Sequence, residues 1–204
     1  MTMTTSDLEA RVERIEAFQA ISQLPMRYAR AIDARDLDTL ASLYTPDAVF
    51  SRRVDERGPQ AVRAYFATVL TNFYRSMHQI CGHVIDTIDG DHASGTVYCR
   101  VEHEDADDWV VQLMVYFDEY QRVDGTWLIA SRRPTYLYTA DVRDLPQTVG
   151  FNHWPGWDAG DRGGADAAGE AARRFAPTLP QAWATWAPYW DEHRDRVPAR
   201  THRP

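Results

Sequence analysis

The chain has 204 residues, 44% of them apolar, and a formal charge of −8 at pH 7. That length can bury one good core with room for an appendage, while the acidic balance excludes nucleic acid or an anionic membrane as the main partner. No stretch approaches the about 18 consecutive apolar residues of a membrane span.

The opening stretch MTMTTSDLEARVERIEAF lacks the basic start and apolar run of a secretory signal, so a cytoplasmic location is expected. Thr5–Ser6–Asp7 followed by Glu9 reads instead as a helix start, with a polar cap and an acidic first turn. Val12, Ile15, Phe18, Ile21 and Met26 recur at helical spacing and predict its buried face; Pro25 predicts a kink or a division. The stretch Tyr28 to Phe50, YARAIDARDLDTLASLYTPDAVF, reads as the end of that helix, a charged turn, a second short helix and entry into a strand. Asp36 opens the second helix, Leu37, Leu40 and Leu43–Tyr44 are its inner face, and Pro46 is expected to stop it. A strand over Val49–Val54 carries Arg52 and Arg53. After Gly58–Pro59, a third helix is predicted from Ala61 to Tyr74, packing through Val62, Tyr65, Phe66, Val69 and Phe73.

From Met77 the period becomes strand-like. A strand His78–Ile88 ends at the hairpin signal Asp89–Gly90–Asp91, and His92–Glu104 returns. On this second strand Val97, Cys99, Val101 and His103 share one face. An acidic turn (Glu104–Asp108) leads to Trp109–Val123, the turn Asp124–Gly125 and a last strand to about Tyr138, with Pro134 marking a bulge or an edge. Cys81 and Cys99 lie apart in strand-like runs and read as buried small apolar residues rather than a bridge or a metal pair. Three helices followed by an antiparallel meander make an α+β plan, with helices on one face of a curved sheet. The last stretch is rich in Gly, Pro and Ala but holds five of the seven tryptophans, too aromatic for a disordered tail. It is expected to pack on its own domain or on a neighbouring subunit.

Three polar residues stand out. His78 and His103 each lie about a dozen residues from the hairpin turn, so they come roughly opposite one another. Asp33 lies where two apolar-faced helices join; there it either caps the second helix or points into whatever those helices cover. A histidine on an apolar face is often a satisfied core residue, but one arrangement brings all three together. It would make an acid–base site, in which a carboxylate fixes an imidazole's tautomer and raises its basicity. His83 and His92 are expected to be exposed near the hairpin. No HxH or HxxxH pair, CxxC, phosphate-cradling Gly-rich loop or GxSxG elbow is present, so neither metal nor cofactor is expected. Arg132–Arg133 offers one guanidinium inward for an anionic intermediate, or a pair facing water.

Tyr28-x4-Asp33, the following DARDLDTLASLYTPDAVF, the SMHQI histidine and DEYQRVDGTWLIASR together resemble the nuclear-transport-factor-2-like superfamily. The likeness is to its SnoaL-like, scytalone dehydratase-like branch, over about residues 8 to 140. The resemblance implies a cone-shaped sheet, antiparallel or mixed, which with about three N-terminal helices encloses an apolar pocket. It sets a catalytic domain at 1–144 apart from a Trp-rich extension at 145–204. It further implies a cofactor-independent dehydratase- or isomerase-type lyase acting on a small hydrophobic, cyclic substrate, in a homo-oligomer (dimer or trimer). Asp33 and His78 match the aspartate–histidine pair of that branch; His103 matches a second histidine of the scytalone dehydratase type, and Tyr28 a tyrosine of the bile-acid dehydratase type. The same fold also hosts polyketide-type cyclases using the same dyad and non-catalytic assembly subunits like the small subunits of ring-hydroxylating oxygenases. On an ideal helix Tyr28 and Asp33 sit about 140° apart, so facing one cavity requires a widened or broken turn.

Overall fold

A computed structural model describes residues 4–50, 57–73, 75–105 and 108–145. The expectations for Arg52 and Arg53, and for the extension beyond Leu145, lie outside the described residues. The order is α1 (Thr5–Asp33), α2 (Leu37–Ser42), β1 (Tyr44–Phe50), α3 (Gly58–Val69), β2 (Arg75–Asp89), β3 (His92–Asp105), β4 (Asp108–Val123) and β5 (Thr126–Asp141). The α+β expectation holds, with a five-stranded mixed sheet in the order β1-β5-β4-β3-β2.

Helix α1 starts on a capping box in which Thr4 and Asp7 satisfy each other's backbone N–H groups. It runs through Pro25 undivided. The missing N–H removes one hydrogen bond, and burial of Ile21, Leu24, Tyr28 and Ile32 on both sides of it holds the helix in place. The predicted inner face is corrected. Of its members only Ile21 is buried, whereas Val12, Ile15, Phe18 and Met26 are 45–63% exposed. The true core face is Ala17, Ile21, Leu24, Tyr28, Ala31 and Ile32. Both stripes have helical spacing, and periodicity alone does not say which one meets the sheet.

At the α1–α2 junction Ala34 closes the first helix. Arg35 adopts the left-handed conformation (φ 60°), and Asp36 caps α2 by accepting from the Thr39 N–H at 3.0 Å. Leu40, Leu43 and Tyr44 are buried as expected. Pro46 does not stop the helix; it lies inside β1, which begins at Tyr44. That strand is at the sheet's edge, paired in parallel with β5, where a residue without an N–H is tolerated. Helix α3 starts at Gly58, three residues before the predicted start, and gives way at Leu70 to a 3-10 turn ending at Asn72.

Strands β2 and β3 form the predicted antiparallel hairpin, with Gly90 in the left-handed region at its turn. Two irregularities interrupt the register in β2, between Ile80 and Gly82 and between Ile85 and Thr87. The first pushes Cys81 outward, so this thiol is exposed and only Cys99 is buried, contrary to expectation. Burial raises the Cys99 thiol to about 12. The turn Asp124–Gly125 has positive φ at both residues (48° and 79°), as its sequence requires.

The chain divides into two compact units, of which the larger comprises the residues up to Asp107 together with Met114–Thr135. Its core is built from Ile21, Leu24, Leu40, Leu43, Val62, Val97, Val101, Val115 and Ile129. The smaller contains Asp108–Leu113 and the chain from Tyr136 onward. Within it the buried Asp141 carboxylate accepts from the Trp109 N–H (3.2 Å) and from the Arg143 backbone N–H and Nε (2.8 and 2.6 Å). These bonds, led by those from the Arg143 side chain, lower its pKa to about 2.

Candidate active site

Asp33 is the last residue of α1, and its carboxylate bonds to β2 rather than capping α2. Oδ2 accepts the His78 backbone N–H at 2.8 Å, and Oδ1 meets His78 Nδ1 at 2.7 Å. Ser76, two residues earlier on the same face of β2, donates its hydroxyl to Oδ1 at 3.3 Å. Arg35 in turn donates to Ser76 Oγ at 2.8 Å and to the Ile32 and Phe73 carbonyls. The left-handed turn at Arg35 therefore brings its guanidinium behind the carboxylate. Partial burial favours the neutral acid, but the His78 side-chain and backbone bonds, with Ser76, outweigh it and hold Asp33 below the usual carboxylate range. An ionised carboxylate only accepts, so Nδ1 carries a proton, and in the neutral imidazole the free lone pair is on Nε2. The imidazole is almost wholly buried, with 6% side-chain exposure.

His103 is buried on β3, and the expectation that it lies opposite His78 is corrected. His78 pairs with Val101, and His103 with Ser76. Each of the two irregularities in β2 absorbs one residue, sliding the partners two positions and preserving the shared face. The rings stand 6.1 Å apart, edge to face, and Phe73 packs 4.3 Å from His103. Tyr28 reaches the same place, its ring 6.0 Å from His78 and nearly perpendicular to it. Burial, partly offset by Arg132, raises its phenol pKa well above the ordinary value, so Tyr28 stays protonated. Thus the structure brings Asp33, His78, His103 and Tyr28 together.

Behind Tyr28 lies an ion pair that the sequence pattern did not assign. Arg132 is buried and meets the buried Asp118 through two bonds, Nε–Oδ1 at 2.9 Å and Nη2–Oδ2 at 2.5 Å. Its guanidinium is stacked between Tyr28 (4.3 Å) and Tyr116 (4.5 Å). Burial opposes the charge, but Asp118 more than compensates, and the Arg132 pKa lies well above its ordinary value. Arg133 is the outward member, facing Glu119. The adjacent acids Asp118 and Glu119 that end the apolar run VQLMVYFDEY were the available signal, since strand alternation turns one of them inward and a buried carboxylate needs a cation.

The pair extends further. Tyr120 donates to Asp118 at 2.9 Å and meets His83 Nε2 at 3.0 Å. His83 is half-buried rather than exposed, because the extra residue at Cys81 turns it to the inner face opposite Val97. Gly95 makes the space, since a Cβ there would stand 2.6 Å from the Val84 carbonyl oxygen and 3.1 Å from His83 Nε2. His92, at the hairpin, is exposed as expected. Among the described residues no cluster of three or more His, Cys, Asp or Glu side chains could hold a metal, and no helix is long and apolar enough to cross a membrane.

The SnoaL-like domain family matches residues 13–133. The chain belongs to the SnoaL-like family. A Mycobacterium tuberculosis relative, itself uncharacterized, is 33% identical over 125 residues, 58% of this chain and 84% of the relative. Among solved structures, hexachlorocyclohexane dehydrochlorinase LinA-type3 of Novosphingobium barchaimii superposes with a TM-score of 0.61 at 18% identity, covering 66% of this chain and 96% of that one. A scytalone dehydratase-like protein of Novosphingobium aromaticivorans does so at 0.57 and 20% identity, covering 65% and 92%. At these identities the likeness shows the fold alone, which this SnoaL-like chain shares with both.

Proposed function

We propose that this SnoaL-like protein is a cofactor-independent lyase or isomerase for a small hydrophobic, cyclic substrate, working through an Asp33–His78 acid–base dyad. The observation that carries this reading is the two-point grip of Asp33 on His78, which leaves Nε2 as the one basic atom of a buried imidazole. Nε2 takes a proton from an acidic carbon, and the Asp33 charge stabilises the imidazolium that results. In elimination the electron pair of the broken C–H bond forms the new double bond as a hydroxide or halide departs; in isomerisation the imidazolium returns the proton to another carbon. Tyr28, held as a neutral phenol, and His103 serve as donors to the departing group or to an oxygen that becomes enolate-like. The surrounding Phe66, Phe73 and Tyr116 rings suit an apolar ring and keep water scarce.

An assembly-subunit role would give the histidine a structural partner such as a backbone carbonyl; the carboxylate at Nδ1 favours catalysis instead. A cyclase would use the same dyad, and products distinguish the two. The test is NMR in D2O on a panel of cyclic compounds carrying an acidic C–H beside a hydroxyl or chloride. Olefin formation or deuterium incorporation by the wild type and its loss in His78→Gln are expected. Turnover that survives His78→Gln contradicts the dyad.

A further inference from the structure

Helix α1 carries two apolar faces, and only one of them meets the core. Ala17, Ile21, Leu24, Tyr28 and Ala31 form the buried stripe, at alternating steps of four and three. The same steps run through Leu8, Val12, Ile15, Gln19, Ser22 and Met26. Each of the first four lies nine positions before a member of the buried stripe, which at about 100° per residue is diametrically opposite. Leu8, Val12, Ile15 and Met26 are 48%, 45%, 63% and 54% exposed, and Phe18 beside them is 55% exposed. This outer seam covers more than half of the helix. Alternating four–three spacing is the pattern by which two helices supercoil, and a lone apolar seam on water is unfavourable.

The charges beside the seam select the occupant. With Val12 and Gln19 at the first apolar position of the heptad and Leu8 and Ile15 at the second, Arg11 precedes the seam residue Val12. Glu16 follows Ile15. In a parallel pair of identical helices these two flanking positions, five residues apart, face one another across the interface. Arg11 of one copy therefore meets Glu16 of the other, twice by symmetry. Gln19 falls on the axis, where a polar residue fixes register, and Ser22 follows it with its hydroxyl donated to the Phe18 carbonyl. The core faces point outward in such a pair, so each copy's body lies on the far side of its own helix.

We propose that the outer seam of α1 is a docking surface for a second copy of this chain, the two helices running parallel about a two-fold axis. The full-length protein is a dimer through this seam, independent of the chemistry assigned to the dyad. Sedimentation velocity over about 1–100 μM tests it, with thermal melts confirming that each variant folds. Ile15→Asp, at an exposed position, is expected to leave only monomer. Arg11→Glu and Glu16→Arg should each weaken dimerisation about tenfold, and the double variant should restore it. Gln19→Cys in a Cys81→Ser background should give an oxidised dimer. A monomeric wild type, as when residues 146–204 cover the seam within one chain, overturns the proposal. So does a dimer indifferent to Ile15→Asp, or a charge swap that fails to rescue.

Discussion

At the residue scale, Asp33 and Asp36 divide two tasks that the sequence leaves open to either. Asp36 caps α2 through the Thr39 N–H, which frees Asp33 to hold His78. Asp33→Asn should therefore lower turnover by about 10²–10⁴-fold, the range for a general-base unit, and lower the melting temperature as well, since it neutralises a carboxylate whose ionised form the fold favours. Steady-state kinetics beside a melt checks both parts. Ser76→Ala should have a smaller effect of the same kind, because it removes one of the bonds that keep Asp33 ionised. The buried pair behaves differently. Asp118→Ala strands the Arg132 guanidinium between two tyrosine rings and should cost about 3–5 kcal/mol in denaturant unfolding. Asp33, His78 and His103 were legible because polar residues are unusual at those positions, and Tyr28 only through the family resemblance. Asp118 and Arg132 were less so, since a strand acid or arginine takes its meaning from which face the local register turns inward.

At the element scale, register explains most of the departures. Alternation along β3 reads correctly from the sequence, with Val97, Cys99, Val101 and His103 all buried. Alternation along β2 does not, because an inserted residue at Cys81 reverses the parity of the positions after it. His78 and His83 are an odd number of residues apart, yet both face inward. No local signature marks such an irregularity, so counting from the hairpin misplaces the pairing by two. The outward turn makes a direct prediction: in the native protein a thiol reagent should modify Cys81 quickly and Cys99 only on unfolding, as peptide mass spectrometry would show. Equal labelling would contradict the register. Gly58 is a second device at this scale. It opens α3 with φ +77°, and an added Cβ would collide with the Pro46 carbonyl oxygen. Gly58→Ala should destabilise by about 1–3 kcal/mol, measured by urea unfolding.

At the scale of the whole molecule, stability and chemistry respond to the same protons. His83 has its pKa lowered, first by burial and then by Arg132 against the pull of Asp118, with the Ser22 backbone and Asp86 also acting on it. Its folded pKa lies below its unfolded value of about 6.5, so the unfolded chain binds more protons in between, and stability falls as pH drops below about 6.5. Asp33, also depressed when folded, removes further stability only below its unfolded value of about 3.9. The melting temperature should decline in these two stages, and His83→Gln should flatten the first while leaving the second. The α+β plan and the family were legible from helices, hairpin turns and the Tyr28–Asp33–His78 constellation. Which face of α1 meets the sheet was not, because both faces carry the same period.

The proposed chemistry turns on Asp33 fixing the tautomer of His78. The most direct measurement is a long-range proton–nitrogen NMR correlation of the imidazoles across pH, in wild type and Asp33→Asn. Expected is a His78 whose proton sits on Nδ1, with Nε2 bare, in the wild type, and the loss of that tautomer preference in Asp33→Asn. A His78 with its proton on Nε2, or a tautomer that ignores Asp33→Asn, would contradict the dyad.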